Sequence, residues 1–455
     1  MVLRLPGWPL RTTSLLTAVL LLAPAVGLWM APRPRATGLE RLLPQVSLLQ
    51  SFPSAPERPV PQLWRQRLGT RAAQGLWREQ RNLWWQFWAR DGDGDAFLAF
   101  ARPRQAASLP AGVLTLDDLV VVAPDPLSRR QLQDQLAAAS RQRRGLERRC
   151  LDRLQQEQAV YWSPIGLAEL TGPLAPLLQH GRQGCLSLTP RGGRVLNGLD
   201  LSGEAAASTD VLATLPAGPP PQLPAAVQLS PGVLLELSGP SLAPLLNSLL
   251  ARQLIREPLA ARYGLGDSQT KLLTTVPFRL RVRSIPQGPF QAALDLQLAV
   301  GRERRPWAEL LRELRQGLLD QNLQEAPAQL TTRAAGPRSQ ALPAAQFLRD
   351  DGTVVGGWRW QSSQGGEPQL QLFLGPPPLL GLPSAAPAEP VRAVGQAAPL
   401  RLNLAPAALS RLGLMPPELP QLVRGAEQLD LRLSPANQPL SQLSGRLRLP
   451  GPGAR

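Results

Sequence analysis

The sequence predicts an α+β protein in which repeated strand, helix and hairpin units form mostly antiparallel sheets covered by helices. Three observations predict this. Short runs in which apolar residues alternate with polar ones end at Pro and Gly turns, as half-buried strands do. Leu recurs every three or four residues between some of these runs, which is typical of an amphipathic helix. The order strand, helix, strand, strand recurs along the chain, as a duplicated module would.

The clearest unit spans residues 233–300. An apolar run, Val233–Leu237, leads to the turn Ser238-Gly239-Pro240, which predicts a helix that begins at Pro240. The apolar face of this helix would consist of Leu242, Leu245, Leu246, Leu249 and Leu250. Two alternating runs follow around a Pro- and Gly-rich turn, with the polar positions Arg279, Arg281, Arg283, Asp295 and Gln297. They predict a hairpin.

The same order recurs twice more, in residues 160–201 and 400–449, and a partial copy occupies residues 120–136. Duplication of one module would explain these copies. The alternative is that any α+β protein of this size contains several strand-to-helix turns with Pro. A repeat in either case predicts architecture and not chemistry.

The N-terminus contains an uncharged segment, Thr12–Pro32, that is strongly apolar from Leu15 to Ala31. Its 21 residues, at a rise of ~1.5 Å each, can cross a hydrocarbon core of ~30 Å. We therefore expect residues 1–35 to form an uncleaved signal anchor, with the bulk of the chain extracytoplasmic, either periplasmic or lumenal. The alternative is a signal peptide that is cleaved near Ala23-Pro24-Ala25.

Composition predicts the domain boundaries. The chain has 455 residues, 50 of them Pro, and stretches rich in Pro and Ala favour extended linkers. We expect a first α+β lobe (36–213), a Pro-rich linker (214–224), a second α+β lobe (225–382), a Pro- and Ala-rich linker (383–399) and a C-terminal repeat unit (400–455) that packs on the second lobe.

A Trp-rich basic stretch follows the anchor. Near-helical spacing groups Trp64, Arg65, Arg67, Arg71, Trp77, Arg78 and Arg81. A basic amphipathic helix with Trp can lie on an anionic membrane surface, and the net charge of +16 favours such contact. The alternative is that the Trp rings belong to the core and the Arg stems cover them. Nucleic acid is not expected as a partner, because an extracytoplasmic chain seldom meets it.

The sequence lacks the groups that common catalytic and metal sites require. It has one histidine, His180, and one lysine, Lys271, so a nucleophile and base pair has few candidates. Its two cysteines and His180 are fewer than the four ligands of a structural zinc site. The loop that begins at Asp91 has Ala96 and Arg102 where a calcium loop needs Gly and Glu. We expect no cofactor, no metal and no catalytic residue.

Cys150 and Cys185 are the two cysteines of the chain. Disulfides persist outside the cytoplasm, so a bond between the two is one expectation. Two separately buried thiols are the other.

Some motifs resemble those of a known family. An apolar anchor precedes the run Leu119–Pro126 that opens an Arg- and Gln-rich helix, and Leu151–Gln156 then leads to the strand Val160–Trp162. This order resembles uncharacterised membrane-anchored proteins of cyanobacteria that are known as a domain of unknown function. The resemblance covers residues 45–201 and the later repeats. It implies a membrane-anchored protein and supplies no catalytic residue.

Together these features predict a single-pass, membrane-anchored protein with a structural or binding role in the cell envelope. Its partners would be the membrane, an envelope protein or an apolar ligand. One alternative is a carrier or scaffold for lipid, with a groove lined by Leu242, Leu246, Phe278 and Leu294. A second alternative is a carboxylate-dependent hydrolase, which would need two facing Asp or Glu side chains.

Overall fold

A computed structural model describes most of the chain. The described residues are 35–90, 95–103, 109, 112–137, 142, 144–171, 181–192, 196–206, 228–286, 290–326, 344–362, 368–378, 400–415, 421–437 and 440–451. The predicted anchor, both predicted linkers and His180 lie almost entirely outside these residues. No helix in the described part is long and apolar enough to cross a membrane.

The N-terminal region contains two units with an insertion between them. Its elements are α1 (Leu39–Leu42), a 3₁₀ turn (Leu43–Gln45), β1 (Val46–Phe52), α2 (Gln62–Leu68), α3 (Thr70–Glu79), β2 (Trp84–Ala89), β3 (Phe97–Ala101), β4 (Leu114–Leu116), β5 (Leu119–Val122), α4 (Pro126–Ala137), α5 (Gly145–Gln156), β6 (Ala159–Trp162), α6 (Pro164–Thr171), β7 (Gln183–Arg191) and β8 (Gly198–Ala206). Unit 1 comprises β1 to β3 and unit 2 comprises β6 to β8. The insertion comprises β4, β5, α4 and α5.

The second region contains two further units. Its elements are β9 (Val233–Gly239), α7 (Ala243–Leu250), α8 (Gln253–Tyr263), α9 (Asp267–Thr274), β10 (Phe278–Ser284), β11 (Ala292–Ala299), α10 (Arg305–Leu319), β12 (Gln324–Ala326), β13 (Ala344–Leu348), β14 (Val354–Ser362), β15 (Pro368–Leu374), β16 (Leu400–Leu404), α11 (Pro406–Arg411), α12 (Gln421–Arg424), β17 (Gln428–Asn437) and β18 (Leu440–Arg448). Unit 3 comprises β9 to β11 and unit 4 comprises β16 to β18.

In every unit the opening strand pairs with the middle strand, and the middle strand pairs with the closing strand. One helical segment or more connects the opening strand to the middle strand. Opening strands of two units pair at β1–β6 and at β9–β16, and closing strands pair at β8–β18. All described pairings are antiparallel, and they join the 18 described strands into one sheet. The predicted α+β class with mostly antiparallel strands and covering helices is confirmed.

The order of strands across the sheet follows from these pairings. It runs β4, β5, β3, β2, β1, β6, β7, β8, β18, β17, β16, β9, β10, β11, β15, β14, β13 and β12. Unit 4 therefore bridges the two regions, because it pairs with β8 on one side and with β9 on the other. The predicted lobe boundaries stay a prediction.

One face of the sheet, which we call the near face, packs against the helices inside the units. In unit 1 it carries the aromatic cluster under α2 and α3. In unit 3 it also packs against α10, which follows β11 and lies outside the unit, through Trp307, Leu310 and Leu311. In units 2 and 4 it carries Leu199, Leu201 and Leu447. Leu side chains at alternate strand positions supply most of this core, as the period of two requires.

The opposite face, which we call the far face, differs between the two regions. In the N-terminal region α4 and α5 cover an apolar surface that includes Leu49, Phe87 and Tyr161. From β8 onward this face carries opposed polar pairs, such as Asp200 with Arg446 and Glu236 with Arg281, although Phe373 also lies on it, opposite Asp295. Residues opposite each other on neighbouring strands point to the same side, so the far face changes from apolar to polar along the sheet.

One local expectation needs correction. The helix of unit 3 begins at Ala243 and not at Pro240, because Ser238 and Gly239 are still paired in β9. The Ser241 hydroxyl then accepts a hydrogen bond from the Ala243 N–H at 2.9 Å, which is the role of a cap. The strand and helix predicted for the partial copy at residues 120–136 are present as β5 and α4.

Candidate functional site

The segment after the predicted anchor is fixed to the turn between β4 and β5. The Gly38 N–H donates to the Asp117 carboxylate at 2.7 Å. Gly38 has a φ of +52°, and a side chain there would collide with the Asp118 carboxylate, so glycine is required. Arg41 donates to the Leu136 carbonyl at 2.8 Å and lies 3.7 Å from Asp117. The start of the described chain is therefore held against the sheet.

A cleft of 520 Å³ opens beside this segment. Its lining residues are Thr37, Leu39, Pro53, Ser54, Arg81, Asn82, Leu83, Trp85, Ala101, Asp118, Leu119 and Gln155. The buried Gln80 amide donates to the Asn82 and Leu83 carbonyls at 3.1 and 3.0 Å, which fixes the loop that carries Arg81. Arg81 and Asp118 are thus the charged residues that line the cleft, and Thr37 lines it together with Arg81.

The Trp residues of the predicted membrane-contact set belong to the core. Trp64 is 0% exposed and packs edge to face against Trp77 at 5.2 Å and against Trp84 at 6.0 Å. The Trp77 indole N–H donates to the Arg58 carbonyl at 3.0 Å. Neither Trp64 nor Trp77 can place its ring in a lipid surface without unfolding this cluster, because the rings complete the core of unit 1. Sequence periodicity cannot separate the two roles, since an amphipathic helix presents the same pattern to a core and to a bilayer.

The arginines of that set divide into two groups. Arg67 is 15% exposed along its side chain, and its Nε donates to the Ala96 carbonyl at 3.0 Å. Arg65, Arg71, Arg78 and Arg81 are exposed, and the described residues offer them no ion pair within 4.0 Å. We call these four the arginine face. Residues 57–81 contain six arginines and two glutamates, so the stretch has a net charge of +4.

Cys150 and Cys185 form a disulfide that joins α5 to β7, with a Cα–Cα distance of 5.4 Å. Both residues are fully buried in the core between α5 and the sheet. Beside this bond Arg149 donates to both oxygens of Glu204, at 2.9 and 3.1 Å. The pair marks the boundary where the covered part of the far face ends.

The polar part of the far face is paired internally. Arg283 donates to both oxygens of Asp295 at 2.7 and 3.2 Å, and Arg281 donates to Glu236 at 2.6 Å. Arg359 donates to the Gln371 side chain at 2.6 Å and to the Pro378 carbonyl at 3.1 Å. Burial lowers the pKa of Arg359 to about 10, and the nearby Asp295 opposes this shift. The group stays charged near neutrality, and its hydrogen bonds lie within the protein.

The apolar groove predicted in unit 3 is not one of the two clefts described. Leu242 and Phe278 are buried in the core beneath α10, and Leu246 packs against the same core. A second cleft, of 450 Å³, lies among α7, α8 and α9 and is lined by other residues, including Arg256 and Asp267. These two side chains form an ion pair at 3.0 Å.

Within the described residues, no group of three or more His, Cys, Asp or Glu side chains could hold a metal ion. Lys271 is exposed on α9. Comparison with protein-family models, with curated proteins and with solved structures finds no match to this chain. The site must therefore be interpreted from its own geometry. Sequence reasoning missed Gln80, Asp117 and Asp118, although an Asp-Asp pair between two apolar runs is a turn signal.

Proposed function

We propose that this chain is a single-pass, membrane-anchored, extracytoplasmic protein with a structural or binding role in the cell envelope. Residues 1–35 would form the anchor, and residues 36–213 and 225–382 would form two lobes. The Cys150–Cys185 disulfide carries the proposal, because such bonds persist in oxidising compartments and are rare in the cytoplasm. The uncharged segment Thr12–Pro32 supplies the means to reach that compartment.

The shape of the protein supports a binding role. One continuous sheet joins the 18 described strands, and the part of its far face beyond β8 is not covered by α4 and α5. A scaffold needs such a surface more than it needs an enclosed pocket, and rigid elements hold a binding surface better than loops do. The lipid-carrier and hydrolase alternatives gain no support from a particular contact of the described residues.

Fractionation tests this proposal. Cells express the full chain and, as a control, a truncated chain that begins at Thr37. We expect the full chain to stay in the membrane in carbonate and to be digested by protease added to intact spheroplasts. In denaturant, its cysteines should react with a thiol reagent only after reduction, whereas those of the truncated chain should react without reduction.

Two results would overturn parts of the proposal. A full chain that protease reaches only after lysis would contradict the extracytoplasmic location. A soluble protein shortened at its N-terminus would replace the anchor by a cleaved signal peptide.

A further inference from the structure

We propose that the arginine face docks on anionic lipid headgroups of the leaflet from which the chain emerges. This inference rests on the proposed function, because it requires the anchor to hold the body near a membrane. It names one partner, an anionic bilayer surface, for four residues: Arg65, Arg71, Arg78 and Arg81.

Charge is the first argument. The four guanidinium groups are exposed, and no carboxylate among the described residues pairs with them. Arg71 and Arg78 are seven residues apart on α3, so they lie on one side of the helix about 10 Å apart along its axis. Arg81 lies in the loop after α3, which ends at Glu79. Such a group of arginines complements a layer of phosphates, since Arg pairs well with phosphate oxygens.

Position is the second argument. Thr37 and Arg81 line the same cleft, so the start of the body and the end of the arginine face are neighbours. Thr37 follows Pro32, the last residue of the uncharged segment, by five residues. Five residues span at most ~18 Å even when fully extended. The anchor therefore lets α3 reach the headgroup layer, where an attraction that fades over ~8 Å can act.

The buried Trp residues define how docking occurs. Trp64 and Trp77 are enclosed in the core, so the contact is electrostatic and does not insert aromatic rings. An electrostatic contact weakens as the salt concentration rises. Each arginine removed should weaken docking roughly fivefold at low salt.

The test uses the full chain in lipid nanodiscs, either of phosphatidylcholine alone or of phosphatidylcholine mixed with phosphatidylglycerol. Phenylglyoxal modifies accessible arginines, and mass spectrometry reads the rate at each residue. We expect Arg71, Arg78 and Arg81 to react several times more slowly in the anionic discs and to recover in high salt. Arg305, whose side chain is 92% exposed on α10, is the internal control and should react equally in both discs.

Two sets of variants sharpen the test. One carries Arg71→Gln, Arg78→Gln and Arg81→Gln, and the control carries Arg252→Gln, Arg302→Gln and Arg312→Gln at exposed positions of the second region. Both sets lower the net charge by three. Protection of Arg65 in anionic discs should disappear in the first set and persist in the second.

Each outcome decides the matter. Equal reaction rates in the two kinds of disc overturn the proposal, as does protection that both sets of variants lose alike. Protection in phosphatidylcholine alone points to a protein contact and also overturns it. If residues 1–35 are not an anchor, the chain will not enter discs, and sedimentation with phosphatidylglycerol vesicles is measured instead. Sedimentation that is lost at high salt then supports docking. Absence of such sedimentation overturns the proposal.

Discussion

The two regions of the molecule are built from the same unit, yet they treat the far face of the sheet in opposite ways. In the N-terminal region α4 and α5 lie on that face and bury Phe87 and Tyr161. In the second region the face carries ion pairs such as Arg283 with Asp295. The difference follows from the insertion between units 1 and 2, because a helix pair needs apolar strand positions beneath it. A shared topology can thus be kept while the side chains of one face are changed completely.

The largest expected effect comes from the aromatic core of unit 1. Replacing Trp64 by Ala should lower the free energy of unfolding by about 3–5 kcal/mol, since it leaves a cavity among rings packed on both sides. Urea denaturation followed by circular dichroism measures this loss. Leu254→Ala, at a position that is 90% exposed, is the control and should change stability by less than about 0.5 kcal/mol. If Trp64→Ala lowered the free energy of unfolding by less than Leu254→Ala does, the Trp64 ring would not be part of the core.

Removal of the disulfide, which lies in the N-terminal region, should cause the next largest loss of stability. Its cysteines are 35 positions apart in the sequence. Closing a loop of that length stabilises the folded chain by about 3–4 kcal/mol. Cys150→Ala with Cys185→Ala should therefore lower Tm, and reductant should lower the Tm of the parent protein but not that of the variant. A Tm of the parent that reductant leaves unchanged would contradict the prediction.

The polar far face of the second region should respond to loss of a single charge. Asp295→Asn leaves Arg283 and the buried Arg359 without their carboxylate. We expect a loss of about 2–3 kcal/mol, somewhat below that for a fully buried pair because Arg283 is partly exposed. Arg283→Met combined with Asp295→Leu should lose less than Asp295→Asn alone. A double variant that is worse than the single one would mean that the pair itself is the main source of stability.

The smallest effect concerns the start of α4, the helix that covers the far face in the N-terminal region. Asp125 accepts hydrogen bonds from the Ser128 hydroxyl and from the Ser128 and Leu127 N–H groups. The Ser128 side chain is the main cause that lowers the pKa of Asp125 below its usual value of 3.8. Because the pKa is lowered in the folded protein, the cap stabilises the protein fully at pH values above the usual pKa of 3.8. This stabilisation is lost as the pH falls through the folded pKa. The Tm difference between the parent and Asp125→Ala should therefore be small near neutral pH and vanish in strong acid.

The strands could be predicted from the sequence because their side chains alternate. Phe278, Leu280 and Val282 point to the core while Arg279, Arg281 and Arg283 point away, and the observed β10 has this register. The hairpins of units 2, 3 and 4 follow in the same way. Unit 1 was missed because its opening run, Val46–Phe52, contains two Ser and a Gln that interrupt the pattern. Ser51 is nonetheless buried, since its hydroxyl bonds to the Glu157 carbonyl at 2.6 Å.

The candidate site could be predicted only in part. Arginine spacing identified the charged stretch, but the fate of each side chain depends on neighbours that are distant in sequence. Arg67 is bound by Ala96, and Arg81 is presented by Gln80. The cleft that relates Thr37 to Arg81 arises only when β1, β2 and β5 are paired. No local pattern contains that information.

The pairing of β8 with β18 has a consequence for how the protein is made. These strands are more than 230 residues apart, as in the pair Leu201 with Gly445. As the chain emerges, unit 2 and unit 3 are complete while β8 and β9 still present unpaired edges, because unit 4 comes later. Such edges invite pairing with other chains. During synthesis the chain is therefore prone to pair with other chains until unit 4 pairs with β8 and β9. A chain that stops before Leu400 would keep both edges unpaired.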